Sequence, residues 1–345
     1  MKISRRGFIK RTLGWGTIPL FIPSKLFKDV SRLQAGRWEL KRADWKPGYL
    51  KLEEEGMLSR RVEELYAIFE SCELCPRQCH ANRLKGGKGF CQGTSQVMVS
   101  SAHAHFGEEQ PLVGRKGSGT IFFTNCNLRC VFCQNYAISQ LGEGRTISDQ
   151  ELAEVMLALQ KRGCHNINLV TPTHYVPNIV SAARIAARMG LRLPLVYNTS
   201  GYEKLDTLKL LDGVIDIYMP DLKYMEGKYA GKYSSNAFDY PEYATRAILE
   251  MHRQVGVLKT DEKGIALRGL IIRHLIMPNN VSSTDKFVQW VAENLPHDTY
   301  VNIMGQYRPE FKAFDYPEIS RRINTEEYRR SLAWAQQYGL TRLDR

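Results

Sequence analysis

The stretch that decides the fold is Gly119-Thr120-Ile121-Phe122-Phe123-Thr124-Asn125-Cys126-Asn127-Leu128-Arg129-Cys130-Val131-Phe132-Cys133. Its first half is a β-branched and aromatic run of strand length, and its second half is a loop with three cysteines. Five more strand-length apolar runs follow, so the candidate strands are residues 120–124, 167–171, 195–198, 214–219, 270–277 and 300–304. Each is followed by a segment with helical periodicity. One of these, residues 149–161, starts after Ser148 with acids in its first turn, and another, 176–189, ends at Gly190 as a C-cap does. Six βα units are two short of a closed eight-stranded barrel, so the pattern predicts an α/β chain with a partial (β/α)6 TIM-like barrel.

In parallel folds the loops after the strands converge on one mouth. Polar residues collect at those strand ends here: Asn125 and Cys126, Thr173 and His174, Asn198-Thr199-Ser200, Asp221 and Lys223, Asn279 and Asn280, Gln306 and Tyr307. That placement marks the mouth as the site without help from any motif.

The chain has 345 residues and ordinary globular composition, with 43% hydrophobic and 24% charged residues. Its net charge of +12 is misleading as a sign of nucleic-acid binding. The first 47 residues hold twelve Lys/Arg against three Asp/Glu, which leaves about +3 for the rest, so no basic face for nucleic acid is expected.

All eight cysteines fall between Cys72 and Cys164, and seven lie within the 62 residues from Cys72 to Cys133. Clustering this tight reads as metal ligation, because a chain this long stabilises itself by burial and needs no disulfide framework. Cys126, Cys130 and Cys133 can wrap three corners of a [4Fe-4S] cubane, leaving one iron without a protein ligand. An open iron of that kind can chelate the amino and carboxylate groups of S-adenosylmethionine (SAM). One electron then cleaves the sulfonium C–S bond and yields a 5'-deoxyadenosyl radical that takes hydrogen from a substrate. A zinc knuckle or an electron-transfer cluster would ordinarily require a fourth protein ligand. Cys164, beside His165 and just before a strand, reads as buried packing instead.

A second group, Cys72-x2-Cys75-x3-Cys79-x11-Cys91, offers four thiolates, with Pro76 and Gly86, Gly87 and Gly89 turning the chain back. It suits an auxiliary [4Fe-4S] cluster or a structural zinc, and spacing alone leaves both open. His103, His105, Glu108 and Glu109 precede the barrel and read as surface or supporting polar groups.

With these residues in view, Cys-x3-Cys-x-aromatic-Cys after a first strand resembles the signature of the radical SAM superfamily. Cys72 to Cys79, Asn82-Arg83, Gly86 to Cys91, Gly117 to Phe123, Cys133-Gln-Asn-Tyr136, Asp221-Leu-Lys223 and Arg268 to His274 resemble the PflX-type proteins related to pyruvate formate-lyase activating enzyme. The likeness runs from about residue 70 to the C-terminus. It implies a radical SAM barrel with an N-terminal cysteine-rich extension and an activating oxidoreductase that makes a glycyl radical on a partner protein. It further implies SAM contacts from Asp221 and Lys223, with a surface ion pair as the plain alternative, and a carboxylate-binding role for Arg273. Where many members carry Gly-Gly-Glu after the second strand, this chain has Thr171-Pro172-Thr173-His174. Thr173 or His174 is then a candidate for the SAM amino group, or His174 is structural. The partners implied are a low-potential donor such as flavodoxin or ferredoxin and a protein bearing a target glycine. The contrasting expectation is an iron-sulfur electron-transfer or binding protein that no longer cleaves SAM.

Domain organisation follows: a leader at 1–24, a linker and lead-in helix at 25–70, the cysteine-rich motif at 71–95 and the barrel at 96–345. Ser4-Arg5-Arg6-Gly7-Phe8-Ile9-Lys10 has the pattern of a twin-arginine signal, ahead of an apolar stretch shorter than the roughly 20 residues a membrane span needs. Export or membrane attachment would follow from it, whereas the supply of SAM and reductant favours the cytoplasm.

Overall fold

The computed structural model describes residues 38–344, so the twin-arginine-like leader lies outside the described residues. The strands are β1 (Val97–His105), β2 (Ser118–Phe123), β3 (Arg145–Ile147), β4 (Ile167–Val170), β5 (Leu195–Thr199), β6 (Ile217–Pro220), β7 (Lys259–Thr260), β8 (Ala266–Leu275) and β9 (Tyr300–Met304). Six of them, β2-β4-β5-β6-β8-β9, are parallel and neighbour one another in chain order. These are the six strands read from the apolar runs, and the fold is the α/β partial barrel of the radical SAM type. Their residues are nearly all buried, as expected of strands covered on both faces.

Two strand boundaries shift for local reasons. The fourth parallel strand begins at Ile217 rather than Val214, because Val214 closes a turn, its N–H reaching Leu211 O at 2.9 Å. The fifth begins at Ala266, because its first residues pair antiparallel with β7. Gly269 sits there at φ +128°, and a Cβ on it would stand 2.4 Å from Leu258 Cα, so only glycine lets the two backbones approach.

The sequence pattern gave no sign of β1 and β3, which extend the sheet antiparallel beyond β2. Among the helices, Asp149–Lys161 opens with a capping box between Ser148 and Glu151, and Val176–Arg188 stops just before Gly190 at φ +101°. Residues read as linker and lead-in helix form two helices, Gly48–Glu54 and Met57–Ala67, both packed on Val176–Arg188. Gly48 N–H also donates to Asp216 at 2.9 Å, tying this segment to the sheet. Among the described residues no helix is long and apolar enough to cross a membrane.

Candidate active site

Beyond Phe123 the chain turns sharply. Asn125 and Arg129, each immediately before a cysteine, take left-handed conformations at φ 69° and 52°. Asparagine tolerates that region, whereas an arginine there costs of order 1 kcal/mol or more. The turns bring Cys126, Cys130 and Cys133 to the wall of one cavity of about 240 Å³. Phe123, Val170, Asn198, Asp221, Leu275 and Met304 also line it, one from the C-terminal end of each parallel strand.

Each of the three sulfurs has its own hydrogen-bond partner. Leu128 N–H lies 3.3 Å from Cys126 Sγ, the Ser234 hydroxyl 2.9 Å from Cys130 Sγ and the Ser139 hydroxyl 3.1 Å from Cys133 Sγ. Burial pushes the Cys130 thiol up to about 12, against the opposing charge of Lys223, and it raises Cys133 as well. Thiols this disfavoured as free anions give up their protons to a metal, which replaces the missing positive charge. Three donors, three satisfied sulfurs and no fourth cysteine on the wall fit a cubane with one open iron.

Asp221 and Lys223 stand on the same wall. They form an ion pair at 2.5 Å that is buried, not the surface pair considered from sequence. Burial alone would raise the Asp221 carboxyl, but Arg273 and Lys223 together hold it below the ordinary carboxylate value. Burial opposes the Lys223 charge in turn, and Asp221 and the Cys130 sulfur outweigh it and raise that group.

Arg273 and Thr173, the other two candidate SAM contacts, stand behind the wall. The Arg273 guanidinium is occupied by Asp221 at 2.8 Å, Asn198 at 2.7 Å and Glu108 at 3.4 Å. Glu109 lies 4.0 Å from it and accepts from Asn302 at 2.9 Å, so Glu108 and Glu109 belong to the barrel interior rather than the surface. The Thr173 hydroxyl donates to Glu203 at 2.6 Å. His174 is fully enclosed, with Nε2–H donating to Thr124 O at 2.7 Å, and burial drives its imidazole down to about 3. It is a neutral brace for the residue preceding Asn125-Cys126. Cys164 packs against Gly119 at the opposite end of the barrel, as buried packing predicts. His103 and His105 lie on β1, partly exposed beside Phe122.

Several supporting residues carried no sequence signal. Ser234 and Ser139 are single hydroxyls remote from any motif. Glu203 gathers the hydroxyls of Thr173, Thr199 and Tyr197 beneath the wall, and burial raises its carboxyl to about 7. Arg77, within the upstream cysteine motif, donates to Asn127 O at 3.0 Å, Ser235 O at 2.8 Å and Ser234 O at 3.1 Å. It therefore grips the loop that presents Cys126 and the turn that caps Cys130. Only its position in Cys75-Pro76-Arg77-Gln78-Cys79 hinted at it.

A cysteine-bearing loop at the mouth of a six-stranded parallel barrel defines the class, and the chain belongs to the radical SAM superfamily. The model of that superfamily matches residues 120–257. The chain is 34% identical over 294 residues to the uncharacterized protein MJ0674 of Methanocaldococcus jannaschii, covering 82% of this chain and 80% of that one. A second protein of the same organism, MJ0808, is 25% identical over 283 residues, covering 76% and 77%. A crystal structure of Streptococcus suis SuiB bound to S-adenosylmethionine is similar over 62% of this chain and 45% of SuiB, with 13% identity and a TM-score of 0.41. Membership carries a [4Fe-4S] cluster, SAM and radical chemistry in general.

Proposed function

We propose that the chain is a SAM-cleaving radical enzyme whose target is a glycine in a partner protein. The observation that carries the reading is the meeting of Cys126, Cys130 and Cys133 with Asp221 and Lys223 in one cavity at the strand ends. When bound, a [4Fe-4S] cluster with one open iron supplies a chelation site for SAM and the electron that breaks its C–S bond.

The chain's own residues provide the rest. Cys126, Cys130 and Cys133 hold the cluster, and their donors keep electron density on the sulfurs in check. Asp221 and Lys223 present a paired negative and positive group to the polar parts of SAM. Arg273 and Thr173 act one step back, Arg273 by fixing Asp221 and Thr173 by joining Glu203 to the loop after β4. Phe123, Phe132, Leu128 and Tyr307 give the cavity an apolar lining that excludes water from a reactive radical.

The activating role rests on the Asp-x-Lys resemblance. It is also supported by exposed Leu141 and Phe314, apolar groups suited to a protein partner. A low-potential donor such as flavodoxin or ferredoxin completes the reaction. The test is anaerobic reconstitution with dithionite and SAM, for which 5'-deoxyadenosine is the expected product. None from fully loaded protein, with Cys126→Ala making no difference, would leave the electron-transfer reading in its place. For the finer reading, a candidate partner labelled with α-deuterated glycine should pass deuterium into 5'-deoxyadenosine, and an unlabelled product would exclude glycine as the target.

A further inference from the structure

The four upstream cysteines come together at one place although the chemistry above makes no use of them. Cys72, Cys75 and Cys91 are buried and Cys79 partly so. Cys91 lies within electrostatic range of Cys72 and Cys79, and Cys75 within range of Cys91 and Cys72. The backbone is folded to make this happen. Cys72 N–H donates to Ala81 O at 3.1 Å, His80 N–H returns to Cys72 O at 3.1 Å, and Gln78 and His80 take left-handed conformations at φ 38° and 51°. A Cβ on Gly89 would stand 2.1 Å from Cys79 Sγ, so the sulfur lies against bare backbone that no other residue could offer.

Among these thiols stands Arg83, 1% exposed. It donates to the carbonyls of His174 and Thr94, reaches Cys72 Sγ at 3.9 Å and stacks on Phe69 at 4.1 Å. Its Nε has no partner, and all its hydrogen bonds go to carbonyl oxygens or sulfur, none to a carboxylate. An enclosed guanidinium with neutral surroundings is a large unbalanced cost. Four thiolates around a metal centre leave a net negative charge and remove that imbalance.

We infer that Cys72, Cys75, Cys79 and Cys91 hold a second [4Fe-4S] cluster, with Arg83 as its enclosed counter-charge. A cubane rather than zinc is favoured by the spread of the sulfurs. Neither this group nor the catalytic three converges on one point as a single ion requires, among the described residues. The two groups share that geometry, and the catalytic three belong to a cubane. With four protein ligands no iron is open, so this cluster does not bind SAM and works by holding its segment folded against the barrel.

The inference concerns metal content and is independent of whether SAM is cleaved. The protein is reconstituted anaerobically and its iron, sulfide and zinc are counted. The Cys126→Ala, Cys130→Ala, Cys133→Ala triple variant should keep about four irons and four sulfides per chain with cubane absorbance. In the intact chain, Cys72→Ala with Cys91→Ala should halve the iron, which covers the case in which the triple variant does not fold. Stoichiometric zinc with half the iron, or no metal beyond the first cluster, would overturn the inference.

Discussion

Replacing Arg83 by methionine should affect the metal-loaded and metal-free proteins differently, and the difference can be worked from one distance. The methionine keeps the stem that packs on Phe69 and deletes the charge. In the loaded protein that charge stands 3.9 Å from the Cys72 sulfur. A full thiolate at that separation, with the effective dielectric of about 20 that suits buried sites, contributes about 4 kcal/mol. In the metal-free protein the thiols are neutral near pH 7, so the attraction is absent, and deleting a desolvated ion offsets the hydrogen bonds lost with it. The bonds to His174 and Thr94 are lost in both states and cancel. The difference of about 4 kcal/mol corresponds to roughly a thousandfold weaker hold on the upstream metal. The assay uses the triple variant lacking the catalytic cysteines, so that one centre is varied: urea unfolding with and without metal, and chelator competition for affinity. The expected result is a near-neutral substitution without metal and a strongly destabilising one with it. Equal destabilisation in both forms, or metal affinity within threefold of the parent, would refute the reasoning.

Arg77→Met should cost about 3 kcal/mol, because it strands carbonyls on the fully buried residues Asn127 and Ser234. Arg253→Met should cost under about 1 kcal/mol although its bonds to Asp212 and Glu250, at 2.7 and 2.8 Å, are shorter, because its side chain is 58% exposed. Similar costs by urea unfolding would contradict the weight placed on burial. Ser234→Ala removes the donor 2.9 Å from Cys130 Sγ and should lower the potential of the catalytic cluster with little effect on folding. An unchanged midpoint in an EPR-monitored titration would count against Cys130 as a ligand. Burial holds the folded Glu203 carboxyl at about 7, above its ordinary 4.5, despite the opposing hydroxyls of Thr173, Thr199 and Tyr197. The folded chain therefore binds the extra proton between those values, and stability falls as pH rises through that window, by at most about 3 kcal/mol. Glu203→Gln should remove the fall, so its melting temperature relative to the parent should rise from pH 5 to pH 7.5. Parallel pH curves would exclude Glu203 as the source.

The parallel strands were legible because each is buried on both faces and reads as a continuous apolar run. β1 was not, since Ser100, Ser101 and His103 face solvent and break the run. The same logic separates the site residues. Cys126, Cys130 and Cys133 announce themselves by residue type and spacing, and Asp221 and Lys223 by position at a strand end. Ser139, Ser234 and Glu203 act through proximity created only by folding, with Ser234 meeting Cys130 across 104 positions of sequence. Arg273 was read as a ligand contact from its strand and type. Its partners Glu108 and Glu109, some 165 positions earlier, could not be read as the groups that occupy it.

The two cysteine groups look like separate modules in sequence, yet the fold makes them one mechanical unit. Arg77 leaves the upstream motif and ends on the carbonyls of Asn127, Ser234 and Ser235, which flank Cys126 and cap Cys130. Arg83 leaves the same segment and ends on His174 O, while the His174 ring holds Thr124 O, two residues before Cys126. The catalytic loop is thus gripped on both sides from the upstream motif. It needs that grip, because Asn125 and Arg129 hold left-handed conformations that the loop alone would relax. The four-cysteine segment, by folding around its own centre, fixes the donors that keep three sulfurs aimed into the cavity.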